Sequence, residues 1–198
     1  MPERPEFTQL ELTTVDFLRD VYGAKPSGAT RWDETGEYYI DFAFFWGTAD
    51  RKTEVVSTVG LAAHSEFQEE GEIDRAVELT GVNKTSDKWL SSVLEECAFR
   101  VMRDGDLIKM GTVCRNLETL DSRSTTLGHV LFVAPFLMPG DFGYGLALEN
   151  DVTIKWLQAI PISDAEDEFV RENGYLDLMR IIDGEMADIR DVNRAPVL

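Results

Sequence analysis

The chain is poor in the residues that carry out most protein chemistry. It has two histidines, His64 and His129, and two cysteines, Cys97 and Cys114, all isolated in the sequence. No C-x-x-C pair or finger-like Cys/His spacing occurs, which excludes the common zinc-ribbon and thioredoxin-type motifs. The two thiols read as buried and reduced, with a disulfide between them left open by sequence alone. No apolar run approaches the roughly 18 residues of a membrane-spanning helix. The opening residues, Met-Pro-Glu-Arg-Pro-Glu, contain no apolar segment of the signal-peptide kind, so a soluble cytoplasmic protein is expected. Positive charge is also scarce: 19 Lys and Arg stand against 37 Asp and Glu, a formal charge of −18. Such a surface repels phosphate backbones and anionic bilayers, so neither nucleic acid nor membrane is expected as a partner. It favours solubility or adaptation to salt, and it would speed encounter with a basic protein.

What the chain does have is hydrophobic patterning. A length of 198 residues with 43% apolar residues suits one domain spanning 1–198, with a core over about 30–185 and loosely ordered tails at 1–7 and 191–198. The spacing of Leu12, Val15, Leu18, Val21 and Tyr22 predicts a helix over 8–22, stopped at Gly23, with a loop at 25–28. Aromatic and β-branched content predicts strands over 37–47 and 53–61, joined as a hairpin, and a short strand over 75–81. The consecutive Phe44, Phe45 and Trp46 imply a strand buried on both faces or a bulge. Trp89, Leu90, Val93, Leu94, Cys97, Ala98, Val101 and Met102 recur as pairs four apart, which predicts a helix over 86–103 capped by Ser86. Strands follow at 107–114, 129–134 and 152–162. Ser163 and Glu166 then form an S-x-x-E capping box, with Ile162 placed to staple and Asp167 and Glu168 at the positive end of the helix dipole. That helix runs to 172 and ends at Asn173-Gly174. A last helix over 175–189 carries Leu176, Met179, Ile182, Met186 and Ile189 on one side. The sum is an α+β domain: a mostly antiparallel or mixed sheet packed on three to four helices.

No catalytic constellation emerges from the sequence. His64 is surrounded by Glu66, Glu69, Glu70, Glu72 and Asp74, but one histidine amid carboxylates reads first as a solvated loop, and EF-hand spacing is absent. There is no G-x-S-x-G elbow. A Cys114–His129 pair lacks any local sign of activation. Asp141-Phe142-Gly143 mimics a kinase triplet without the motifs that accompany it, and the nearby glycines do not form G-x-G-x-x-G. No cofactor or metal site is expected.

Four stretches, in order, resemble the suppressor-of-fused domain family: Val56–Leu61 (VSTVGL), Val77-Glu78-Leu79 ahead of the Trp89 helix, His129–Pro135 (HVLFVAP), and above all VTIKWLQAIPISDAE at 152–166. Trp156, Pro161 and Glu166 carry the match most strongly. The resemblance covers about residues 30–185 and implies a noncatalytic α+β binding domain. Animal members pair such a domain with a second one and sequester transcription factors, a role for which this chain is too short. Bacterial single-domain members include immunity proteins against polymorphic toxins. The resemblance therefore implies a protein partner, such as a basic toxin domain. The acidic balance, not the resemblance, singles out Glu66, Glu69, Glu70 and Asp74 in the loop, then Asp164 and Asp167, as the residues expected to steer it in. Two other readings stand beside it: an enzyme acting on a small cationic substrate near His64, and a structural or regulatory module of a larger assembly.

Overall fold

Ten residues, TIKWLQAIPI, hold the sheet together because side chains on both faces of this strand are buried and its flanks find partners on both sides. The computed structural model describes the chain apart from residues 1–2, 48–51, 66–74, 85–88, 118–119, 121–125, 140–141, 143–144 and 149–151. Its elements run α1 (Gln9–Tyr22), β1 (Ser27–Trp32), β2 (Tyr39–Trp46), β3 (Thr53–Val59), a 3-10 turn (Leu61–Ala63), β4 (Arg75–Lys84), α2 (Trp89–Asp104), β5 (Val113–Cys114), β6 (His129–Val133), β7 (Leu146–Ala147), β8 (Thr153–Ile162), α3 (Asp164–Asn173) and α4 (Tyr175–Gly184). The eight-stranded sheet has the order β1-β2-β3-β4-β8-β6-β5, with β7 also on β8. Only β4 and β8 pair in parallel, and every other pair is antiparallel, so the sheet is mixed. Pro161 lies beyond Gln158, the last β8 residue with a β4 partner, where the strand has become edge-like and tolerates a proline.

The period of two divides the core. Phe42, Val56, Val77, Leu79, Phe132, Leu157 and Ala159 face α2, which contributes Trp89, Leu90, Val93, Leu94, Cys97 and Ala98. On the other face, Ala43, Phe45, Val55, Ile154 and Trp156 pack under α1, and Leu131, Val133, Ile160 and Ile162 pack under α4 through Leu178 and Ile182. This answers Phe44-Phe45, where β2 is covered on both sides in unbroken register with β3; Trp46, at the strand's end, is 54% exposed instead. Phe142, the centre of the kinase-like triplet, is a core residue stacked among Phe17, Tyr22 and Trp156.

Several expectations need correction. Residues 27–32 form β1 rather than continuing a loop; their few apolar side chains hide a strand held by pairing along β2. The strand expected over 107–114 shrinks to Val113–Cys114, because the backbone turns at Gly111 (φ +85°) directly against the Tyr175 ring. Gly174 has positive φ with extended ψ and so is not a left-handed helical cap. The last helix stops at Gly184, five residues early. Neither tail is loose throughout: Arg4 pairs with Asp41 and Glu11, and Val192 and Arg194 are buried. The expected Ser86 cap lies outside the described residues.

A second carboxylate is buried at the heart of the sheet. Glu78 of β4 is fully enclosed and accepts bonds from Gly60 N (2.9 Å), Ala62 N (3.1 Å) and Thr58 Oγ1 (2.5 Å), tying the 3-10 turn to the sheet. Burial pushes its carboxyl up to about 7, against the opposing pull of those donors. The unfolded chain titrates near the ordinary 4.5, so between these values the folded state holds more protons than the unfolded one. The stability Glu78 contributes is therefore complete below the lower value and is lost as pH rises through about 7. Glu78→Gln retains an amide oxygen for the two backbone donors, and it should remove this loss, raising stability at about pH 8 by roughly 1–3 kcal/mol. Urea unfolding of both proteins on either side of neutrality measures it, and parallel pH dependences would contradict the assignment.

Candidate functional site

Buried charge collects where β8 runs into α3. Ser163 Oγ accepts from Glu166 N (3.2 Å) and Glu166 Oε2 accepts from Ser163 N (2.9 Å), so the capping box read from the sequence is present in full. Glu166 is buried and has a further role. Arg194 donates to both of its oxygens (2.8 and 2.9 Å), Val197 N donates to Oε1 (2.9 Å), and the second Arg194 amine also reaches Pro161 O (2.9 Å). Burial works against the charge on Glu166, but these donors more than offset it and hold the carboxyl below the usual range.

One position further on, Asp167 is also buried. Burial opposes its charge, yet bidentate bonds from Arg115 (2.8 Å each) and a bond from Arg171 (3.0 Å) lower its carboxyl as well. Asp167 was expected to meet a partner; instead it is consumed inside the molecule, because the helical turn carries position 167 inward while 164 stays outside. Asp164 does lie on the surface, 97% exposed, where its Oδ1 accepts from His129 Nε2 at 2.8 Å. Asn116 N donates to His129 Nδ1 (3.1 Å), which fixes the proton on Nε2. Glu168 and Glu172 continue the exposed line at steps of four along α3. Glu66, Glu69, Glu70 and Asp74 lie outside the described residues, so only the two α3 acids can be placed.

Among the described residues neither histidine is hydrogen-bonded to a cysteine. Both nitrogens of His129 are engaged away from Cys114. Cys97 and Cys114 are free thiols hydrogen-bonded to each other, and this hydrogen bond together with burial pushes the Cys97 thiol well up. His64 is exposed at the end of the 3-10 turn, with its backbone N–H on Leu61 O. Among the described residues no group of three or more His, Cys, Asp or Glu is arranged to hold a metal ion, and no helix is long and apolar enough to cross a membrane. Sequence reasoning missed Arg194 and Arg115, the two cations that neutralise this junction; a lone arginine far from its carboxylate leaves no local signal.

Beside the acidic line lies an apolar one. Leu176, Met186 and Phe136 are each more than half exposed, on α4, on the turn after it and on the segment after β6. The profile of the family described as "Suppressor of fused protein (SUFU)" matches residues 36–195, most of the chain. The chain belongs to the suppressor of fused family. Full-length similarity agrees: Immunity protein YqcF of Bacillus subtilis (strain 168) is 25% identical over 177 residues, covering 89% of this chain and 91% of that protein. Solved structures share the fold at lower identity. A suppressor-of-fused homolog from Neisseria gonorrhoeae superposes with a TM-score of 0.63 at 16% identity, covering 96% of this chain and 97% of that one. The corresponding chain of the Sufu–Fu complex has the same TM-score and identity, with 87% and 83% covered. The Drosophila Suppressor of Fused matches at 0.63 and 18% over 91% of this chain, which spans only 49% of that larger protein. The Trp156–Glu166 block that signalled the family is thus the β8–α3 junction itself.

The two α3 acids should separate cleanly on substitution. Asp167→Ala removes a buried carboxylate and its charged hydrogen bonds, but Arg115 and Arg171 are 44% and 61% exposed and can turn to water, so it should cost about 1.5–3 kcal/mol, whereas Asp164→Ala, at the surface, should cost less than about 1 kcal/mol. Chemical denaturation of both variants checks this, and equal losses would contradict the burial of Asp167.

Proposed function

We propose that this protein is an immunity protein that binds a toxin domain in the cytoplasm and blocks it by occupying its surface, without chemistry of its own. The observation that carries the reading is the near full-length similarity to Immunity protein YqcF, with 89% of one chain aligned to 91% of the other. The Sufu–Fu complex adds that a protein of this fold takes a protein partner. Neither the family description nor the relative's name is that of an enzyme. The −18 charge suits a basic partner, steering it in before short-range contacts form. The outer face of α3, with Asp164, Glu168 and Glu172 exposed, gives part of that field a place on the fold.

Its gene should lie beside one encoding a toxic domain, and co-expression of the two should restore growth and yield a co-purifying complex. Raising the salt from about 0.05 to 0.5 M should slow association by roughly tenfold or more while changing dissociation little. Association independent of salt would remove the electrostatic part; no rescue and no complex would reject the immunity reading.

A further inference from the structure

Helix α4 ends in a way that is expensive unless its end has a use. Ala187 N donates to Ile182 O and Met186 N to Asp183 O, both at 3.0 Å, the two bonds of a Schellman motif. The left-handed position of that motif normally holds glycine, because a β-carbon there crowds the backbone. Here it holds Met186, at φ +50°. The side chain gains no burial in return: Met186 is 89% exposed. Gly184, two residues earlier, shows that a glycine stands close by without taking the strained position.

Across from Met186 stands Phe136, 52% exposed. Its backbone is fixed from within, since buried Gln158 Oε1 accepts from both Phe136 N (3.1 Å) and Leu137 N (3.2 Å). Between these two residues opens a cavity of about 400 Å³, lined also by Leu137, Met179 and Ile182, with Asp183 on one side and the Asp188–Arg190 ion pair on the other. Asp183 and its neighbour Glu185 are exposed, and among the described residues no cation pairs with either. Two apolar side chains on hydrogen-bonded backbone thus flank a largely apolar cavity; Arg190 on its wall is engaged by Asp188, and Asp183 and Glu185 have no pairing cation among the described residues. Preorganised aromatic and methionine contacts around a pocket are the form that interface anchors take.

We infer that the Phe136–Met186 cavity is the partner-docking surface of this protein, and that it receives a large apolar side chain flanked by lysine or arginine on the partner protein. The apolar group fills the cavity while Asp183 and Glu185 meet the flanking cation. This rests on the binding reading above and names the face that does the binding. Met186 is kept in a position where glycine would serve the fold better because the side chain is needed outside it.

The test uses a displayed library of short random peptides selected against the intact protein, followed by fluorescence anisotropy with the strongest peptide. Selected peptides should share one large apolar residue next to Lys or Arg. Met186→Gly should weaken their binding by about tenfold or more while its melting temperature stays level or rises, and Asp183→Lys should weaken binding comparably. Absence of such peptides, equal binding to wild type and Met186→Gly, or a lower melting temperature for Met186→Gly would each overturn the inference. A complex with the co-expressed toxin that survives Met186→Gly would place docking elsewhere and leave the immunity reading standing. Loss of the toxin complex already in wild type would remove that reading, while the peptides decide the cavity separately.

Discussion

Four donated hydrogen bonds converge on the carboxylate of Glu166, using all the acceptor sites that its two oxygens offer. From one buried position it closes the first turn of α3, neutralises Arg194 and fixes Val197 N. The strand–helix junction, the helix start and the C-terminal segment are therefore one unit. The cost of burying two charges is offset because all four acceptor sites of Glu166 are filled and the two terminal Arg194 nitrogens also reach Pro161 O and Ala195 O, although Arg194 Nε finds no partner among the described residues; removing either residue would leave a bare charge in the interior. The consequence reaches the surface. With Arg194 anchored, Val192 enters the α2 core and Ile189 packs with Leu178 and Ile182, so residues 188–190 form one wall of the cavity beside Met186.

A second constraint is the double burial of β2, β4 and β8. Side chains one apart on these strands enter different cores, so α2 and the pair α1 and α4 must cover opposite faces of one sheet. That arrangement leaves Asp164, Glu168 and Glu172 exposed on α3, Leu176 exposed on α4, and Met186 and Phe136 exposed about one cavity. A sheet covered on both faces that presents exposed acidic and apolar side chains suits the binding role proposed above.

How much of this was legible in the sequence follows from the range of each interaction. The Ser163–Glu166 box, the four-spaced pairs of α2 and the aromatic strand β2 are local patterns, and they read correctly. Strand β1 was invisible because SGATRW has little apolar periodicity, and its place is set by the ladder to β2. The tail at 191–198 read as loose because its only strong residue, Arg194, finds its partner 28 positions away. Asp164 and Asp167 look alike in sequence, and only the rotation of α3 sends one to water and the other to Arg115. Of the stripe Leu176, Met179, Ile182, Met186 and Ile189, Ile182 and Ile189 are buried and Met179 packs against them, while Leu176 and Met186 stay exposed and Leu178, off the stripe, joins the core. A period identifies a face; which face is covered depends on elements the period does not describe.

The claim on which the rest stands is that the Glu166–Arg194 pair fastens the C-terminal segment and thereby builds the cavity wall. Hydrogen exchange on wild type and Arg194→Met tests it most directly. The account predicts that Val197 and the amides of 187–191 lose protection together while those of β3, β4 and β8 keep theirs. Unchanged protection across 187–197 in the variant would contradict it.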